Sequence, residues 1–226
     1  MLPVGGVFIA SPWDTAVRLA ELVRGITFWR SLGQTFGHIA AGFLIGLVLG
    51  AVLAALSVKF PVVEDILRPY VFMVKSVPVA SFIVIALVWM SSKSLSVFIS
   101  FLMVFPVIYS NILQGIKSSD RQLSEMARVF RIPAGKRFLY ITLPGLKAHI
   151  VSGCSTALGL AWKAGVAAEV IGIPYGTIGE QLYMAKVHFD TAELFAWTAV
   201  IVVMSIAFEK FFIAMLKLFY GRLERS

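Results

Sequence analysis

The stretch "GQTFGHIAAGFLIGLVLGAVLAALS", residues 33–57, decides the fold class of this chain. It contains no aspartate, glutamate, lysine or arginine over 25 residues. About 20 consecutive apolar residues are enough for a helix to cross a lipid bilayer. Comparable apolar runs recur along the rest of the sequence. We therefore predict an all-α polytopic membrane protein with about five transmembrane helices.

The predicted spans divide the chain into two parts. Residues 1–32 mix charged and apolar side chains and are predicted to form an N-terminal interfacial or extramembrane segment. Residues 33–226 are predicted to form the transmembrane domain. The spans after the first are expected at about 70–90, 95–116, 146–171 and 194–219. The span at 70–90 is expected to be broken at "KSVP", residues 75–78, and the span at 95–116 contains Pro106, which would free a backbone carbonyl inside the membrane.

The amino-acid composition argues against several classes of protein. Of the 226 residues 59% are hydrophobic and 14% are charged, which argues against a water-soluble core. The formal net charge of +8 is explained by basic cytoplasmic loops, so nucleic acid is not an expected partner. The lone Cys154 and the scattered His38, His149 and His188 lack the spacing of a metal or catalytic site. The chain is therefore not expected to be an enzyme.

Charge also predicts orientation. An odd number of spans puts the two ends on opposite sides, and the side richer in Lys and Arg is cytoplasmic. On this basis we assign the basic segment 117–145 and the C-terminus to the cytoplasm. The cations on that side are Lys59, Arg68, Lys117, Arg121, Arg128, Arg131, Lys136, Arg137, Lys147, Arg222 and Arg225. The opposite side carries Lys93, Lys186 and three arginines that oppose the assignment, Arg18, Arg24 and Arg30.

The basic segment contains "LSEMARVFRIPAGKRFLYITLPG", residues 123–145. Met126, Ala127 and Phe130 share an apolar helical face, and Pro133 ends that helix and suits the first turn of another. The pattern predicts a helix–turn–helix surrounded by cations. From the residues alone two uses remain open: an amphipathic helix pair on anionic lipid, or a surface that a partner protein grips.

The spacing in this segment resembles the cytoplasmic signature of binding-protein-dependent ABC transporter permeases. The family pattern is Glu-Ala-Ala, three residues, Gly, nine residues, then Ile-x-Leu-Pro. Here Glu125-Met126-Ala127 is followed at the same spacing by Arg131 and by Ile141-Thr142-Leu143-Pro144. Met126 and Arg131 depart from the pattern, so the turn is expected to fall to residues 133–135 instead.

The resemblance extends over most of the chain. "GLAWKAGVAAEVIG" and "YGTIGEQLYMA", after residue 157, resemble the subgroup that imports sulfonates, taurine, nitrate and, in some members, vitamin precursors. Members of that subgroup usually carry one more N-terminal span before a segment like "SPWDTAVRLAELV", residues 11–23. The chain is therefore expected to be either a five-span core or a version shortened at its start.

The resemblance implies the partners and the coupling site. The cytoplasmic loop would dock into a cleft of a separate ABC ATPase, which would hold ATP and magnesium, so this chain is expected to bind no cofactor. A second permease copy, as a homodimer, and an extracytoplasmic solute-binding protein would complete an importer in the inner membrane. The implied coupling residues are Glu125, Met126, Ala127, Arg128, Phe130, Arg131, Pro133, Ile141, Leu143 and Pro144.

The candidate residues for helix packing and for the solute pathway each have two possible interpretations. Gly42, Gly46 and Gly50 form a small-residue ridge for close helix packing, within one subunit or between two. Ser76, Pro78, Trp162, Lys163 and Glu169 are candidates for the solute pathway, with structural kinks, packing or an interfacial position as the alternatives. The predicted function is an importer permease for a small anionic solute or a vitamin precursor. The alternative is a secondary transporter driven by an ion gradient.

Overall fold

The computed structural model describes residues 2–4, 7–118 and 142–223, together with positions 126, 130, 133 and 135. The predicted all-α class is confirmed, although a two-stranded antiparallel hairpin of β1 (Leu2–Val4) and β2 (Val7–Ile9) precedes the helices. The helices in the described residues are α1 (Pro12–Arg24), α2 (Ile26–Lys59), α3 (Pro61–Ser76), α4 (Val79–Trp89), α5 (Ser92–Lys117), α6 (Leu143–Gly145), α7 (Lys147–Gly172), α8 (Ile178–Val187) and α9 (Thr191–Leu223).

Helices α2, α5, α7 and α9 are long and apolar enough to cross a membrane, and α3 with α4 forms a further pair bent by 108°. Two helices begin earlier than the sequence predicts. Helix α2 begins at Ile26, seven residues before the predicted start, and α3 begins at Pro61, inside the expected polar connector. Proline fits the first turn of a helix, and the polar Glu64 and Arg68 face a cavity against α5.

The predicted interruption of the second span lies between α3 and α4. Val77 is extended because it precedes Pro78, and such residues avoid the helical region. Pro106, by contrast, lies inside a continuous α5, and Pro69 lies inside α3. Proline therefore marks the break at only one of the three positions.

Close contact between α2 and α5 organises the bundle. A Cβ on Gly42 would lie 2.4 Å from the carbonyl oxygen of Val97, and one on Gly46 would lie 2.7 Å from Val104. Small residues let two membrane helices approach until their backbones almost touch. Numbering rises together along both helices, since Gly50 meets Ile108. The two helices are therefore parallel.

This parallel packing determines what the bent pair does. Lys59 at the end of α2 and Ser92 at the start of α5 lie about 35 Å apart along the bundle, at 1.5 Å per residue. A re-entrant loop would return the chain to the same membrane side and make α5 antiparallel to α2. The α3–α4 pair must instead cross the membrane, which makes five spans.

Helix α7 runs opposite to α5. Ser96 Oγ donates to the Gly165 carbonyl at 3.2 Å, and Ser100 Oγ donates to the Ala161 carbonyl at 3.2 Å. Helix α9 is parallel to α2, because Phe28 stacks on Trp197 and Phe43 packs edge-on against Phe212. The C-terminal end of α9 therefore lies on the same side as the 118–142 connection, and α8 lies on the other.

The N-terminal arginines are held at the outer end of the bundle. Arg18 Nη2 donates to Glu193 at 2.7 Å, and the guanidinium also pairs with Glu21. The hydrogen bond to Glu193, followed by that to Glu21, raises the pKa of Arg18. The Arg30 guanidinium lies 5.6 Å from the ring centre of Tyr175. Local partners thus retain these two cations on the side opposite the cytoplasmic loop.

Candidate functional site

The cytoplasmic connection contains the predicted coupling residues. Met126 and Phe130 are 43% and 72% exposed, Pro133 is exposed, and Leu143 and Pro144 are half-buried in α6. An aromatic side chain as open as Phe130 at the water-facing end is suited to contact another surface. The other predicted coupling residues, Glu125, Ala127, Arg128, Arg131 and Ile141, lie outside the described residues.

The two ends of that connection are tied together. A Cβ on Gly115 of α5 would lie 2.6 Å from the side chain of Leu146, and Leu146 is buried. Ser118 at the end of α5 lies 3.4 Å from Nε2 of His149 in α7. A displacement of the connection would therefore be transmitted to α5 and α7 together.

A groove follows the boundary between α7 and α9. Its cytoplasmic half is a cavity of about 890 Å³ whose walls include Ser152, Ser155 and Glu209. Ser155 Oγ donates to the Glu209 carboxylate. The other polar side chains of the cavity are Lys147, Lys210 and Lys217. Ionisable residues within a membrane span mark functional positions.

The sequence analysis did not identify Glu209 and Lys210. They stand side by side in a largely apolar span that also contains Lys217, and adjacent charges in such a span are the signal that would have drawn attention to them.

Further towards the outer side, a second cavity lies between α7 and α9 at Lys163. This second cavity, of about 340 Å³, is also lined by Trp162 and Ser205. Lys163 is exposed and has no ion-pair partner among the described residues. Trp162 is 2% exposed, and its indole N–H meets no acceptor within the described part of the chain. Lys163 is thus the exposed cation of this cavity, whereas the Trp162 indole N–H is buried behind the cavity wall.

Ser76 and Pro78 lie elsewhere. Ser76 Oγ donates to the Phe72 carbonyl at 2.9 Å, and Pro78 immediately precedes α4. Both residues are exposed at the bend, and neither lines the cavities between α7 and α9. Within one subunit the structure does not bring them together with Lys163.

Glu169 lies in the interior rather than in the groove, with no exposed surface. Its carboxylate accepts hydrogen bonds from Thr35 Oγ1 at 2.7 Å and from the Gly179 N–H at 3.4 Å. Nδ1 of His38 lies 3.2 Å from the other carboxylate oxygen. Thr35 Oγ1 also accepts from the Ile178 N–H at 2.9 Å, so its own proton points to Glu169. Sequence reasoning missed Thr35 and His38, which are over 130 residues away.

This network attaches the first turn of α8 to α2 and α7. A Cβ on Gly179 would lie 2.3 Å from Cβ of Glu169, so only glycine permits the approach. Ile173 before α8 and Phe189 after it both have positive φ, 47° and 56°. Such conformations are costly for bulky side chains and persist where the surroundings hold them. Helix α8 is therefore a fixed cover over the outer end of the bundle.

We expect Glu169→Gln to destabilise the chain by about 1–3 kcal/mol, because an amide would direct its own donors at the donors of the network. The thermal unfolding midpoint of the detergent-solubilised chain should fall. Thr35→Val should lower it too, and the double variant should lose less than the sum because both act on one network. Asp65→Asn, at an exposed carboxylate, is the matched control. An unchanged midpoint for Glu169→Gln would contradict the assigned role.

The described residues contain no group of three His, Cys, Asp or Glu side chains arranged to hold a metal ion. Comparison with known proteins then identifies the family. The model described as "binding-protein-dependent transport system inner membrane component" matches residues 46–225. A crystal structure of an amino acid ABC transporter with histidines has the same fold. Its TM-score is 0.67 at 15% identity, and the match covers 95% of this chain and 100% of that one.

Related proteins of known family support the same assignment. A probable ABC transporter permease protein of Brucella melitensis is 26% identical over 84% of this chain and 78% of its own length. A putative aliphatic sulfonates transport permease of Bacillus subtilis is 29% identical over 73% of this chain and 62% of its own length. The taurine transport system permease of Escherichia coli is 23% identical over 81% of this chain and 66% of its own length. The predicted subgroup is confirmed. The chain belongs to the binding-protein-dependent inner membrane component family and is a multi-pass ABC transporter permease subunit of the cytoplasmic membrane.

Proposed function

We propose that this subunit forms the pathway of an ATP-driven importer for small anionic solutes of the sulfonate type. The observation that carries the proposal is the exposed Lys163, which lines a cavity between α7 and α9 and has no ion-pair partner among the described residues. An ammonium group complements the oxygens of a sulfonate or carboxylate group. The relatives named for aliphatic sulfonates and taurine support the same solute class.

The proposed route follows the groove between α7 and α9. Ser152, Ser155, Gly159 and Lys163 line it and recur every three or four residues along α7, so they share one helical face. Glu209 lies opposite Ser155. A polar stripe through the membrane is costly in lipid and is retained where it meets water, solute or another subunit. A second copy of the chain facing this groove would enclose the route.

The bent span is a second proposed contributor. Ser76 and Pro78 are exposed where the helix breaks, and broken helices at membrane depth are tolerated where they line a cavity or are buried in protein. In a homodimer the bend of one subunit could face the route from a side that a single subunit does not enclose. Ser76 and Pro78 therefore stay in the proposal.

Coupling to ATP is proposed to run through residues 117–145. The chain has no G-x-x-x-x-G-K-[ST] phosphate loop, so ATP and magnesium belong to separate ATPase subunits. Exposed Phe130 and Met126 would enter a cleft on that partner, with Glu125 and Arg128 making polar contacts. Because the ends of the connection are tied at Gly115 and Leu146, movement of the ATPases would displace α5 and α7. An extracytoplasmic binding protein would deliver the solute at the α8 side.

Lys163→Gln should reduce ATP-driven uptake of an aliphatic sulfonate about tenfold or more, since a charge-assisted hydrogen bond contributes about 1.5–3 kcal/mol. Uptake would be measured in proteoliposomes that contain the permease, its ATPase and its binding protein. Lys93→Gln, in the first turn of α5 at its outer end, is the control with the same charge loss. Equal uptake by the two variants would rule out Lys163 as a solute contact.

Glu125→Lys should abolish uptake and binding-protein-stimulated ATP hydrolysis while the chain still inserts in the membrane, because it reverses a charge in the coupling surface. Asp65→Lys makes the same reversal at an exposed cytoplasmic-side position and should leave both activities near the parent level. Normal transport by Glu125→Lys would refute the coupling proposal. Uptake driven by an ion gradient without ATP would favour the secondary transporter.

A further inference from the structure

A separate cavity of about 430 Å³ lies between α3 and α5 near the cytoplasmic end. Its walls combine cations with hydroxyl and apolar groups. The residues that matter here are Glu64, Arg68, Phe72, Lys75, Ser110 and Lys117. It shares no lining residue with the α7–α9 groove.

The charges of this cavity do not balance. Lys117 Nζ lies 2.6 Å from both oxygens of Glu64, so these two neutralise each other. Lys75 Nζ donates only to the uncharged Ser110 Oγ, at 2.8 Å, and has no carboxylate partner in the described part of the chain. Arg68 likewise has no ion-pair partner among the described residues. Within the described part of the chain, two positive charges of this cavity therefore have no counterion.

Arg68 and Lys75 are positioned to act on one ligand. They are seven residues apart on α3, which is about two helical turns, so both side chains leave the same face. Ser110 is seven residues from the end of α5, which places Lys75 Nζ about 10 Å from that end of the helix. At this depth long cationic side chains reach towards the membrane interface.

The mouth of the cavity continues onto an apolar surface. None of the residues of α3 is buried by the rest of the chain. Phe72, which lines the cavity, is 72% exposed, and Met73 next to it is 52% exposed. A cationic recess beside an open apolar helix face is complementary to an amphiphile that has an anionic head and hydrocarbon tails.

We propose that this cavity binds an anionic phospholipid of the cytoplasmic leaflet. Its phosphate would lie between Arg68 and Lys75, and its acyl chains would follow the exposed face at Phe72. Basic pockets between membrane helices on the cytoplasmic side are suited to such headgroups. The lipid would fill the space between the first half of the broken span and α5.

The test compares lipid binding by two double variants of the full chain in neutral detergent. Native mass spectrometry would follow titration with phosphatidylglycerol and with phosphatidylcholine. Arg68→Gln with Lys75→Gln removes both unpaired cations. Lys59→Gln with Arg222→Gln removes the same charges at the same end, outside the cavity. Without added lipid, the two double variants should have the same thermal unfolding midpoint, since all four substituted side chains are exposed.

The parent and the control should bind phosphatidylglycerol more tightly than phosphatidylcholine. Each cation near an anionic headgroup contributes roughly fivefold, so the cavity variant should bind phosphatidylglycerol about 25-fold more weakly. Equal affinities for the two double variants would overturn the proposal. So would displacement of the lipid by inorganic phosphate, which would indicate a soluble-anion site. A cysteine at position 72 that cross-links to a second copy would make this face a subunit contact instead.

Discussion

The contact between the glycine ridge of α2 and the backbone of α5 is the constraint on which the rest of this structure depends. In a bilayer, helices gain little from hydrophobic burial against each other, so association relies on close packing. The absence of side chains at Gly42 and Gly46 allows that packing. Because it holds the two helices parallel, the segment between them must cross the membrane, and the side of every later element follows.

The remaining contacts divide the subunit into a firmly packed part and a looser one. Helices α5 and α7 each bury 50% of their most apolar window, whereas α9 buries 11%. Serine-to-backbone bonds join α5 to α7, and the buried Glu169 network attaches α8 to α2 and α7. The polar groove lies where the packed part meets α9. The proposed route follows this boundary, where Phe212 of α9 packs against Phe43 of α2.

Much of this architecture could be predicted from hydropathy and charge, because both act locally along the chain. The break at Pro78 followed from the conformational restriction on the preceding residue, whereas α5 continues through Pro106. The Glu169 network could not be predicted, since Thr35 and His38 approach it only through the tertiary packing of α2 against α7. The start of α3 was missed because Glu64, Asp65 and Arg68 make its first turns polar, although Glu64 and Arg68 line a cavity against α5.

The most direct test of the account is the sidedness of the two ends of the bent span. Single cysteines at Lys59 and Lys93 would be labelled with a membrane-impermeant maleimide in right-side-out and inside-out vesicles; the native Cys154 is buried. The parallel α2–α5 packing predicts that Lys59→Cys reacts only in inside-out vesicles and Lys93→Cys only in right-side-out vesicles. Labelling of both positions from one side would contradict it, because α3 and α4 would then form a re-entrant loop.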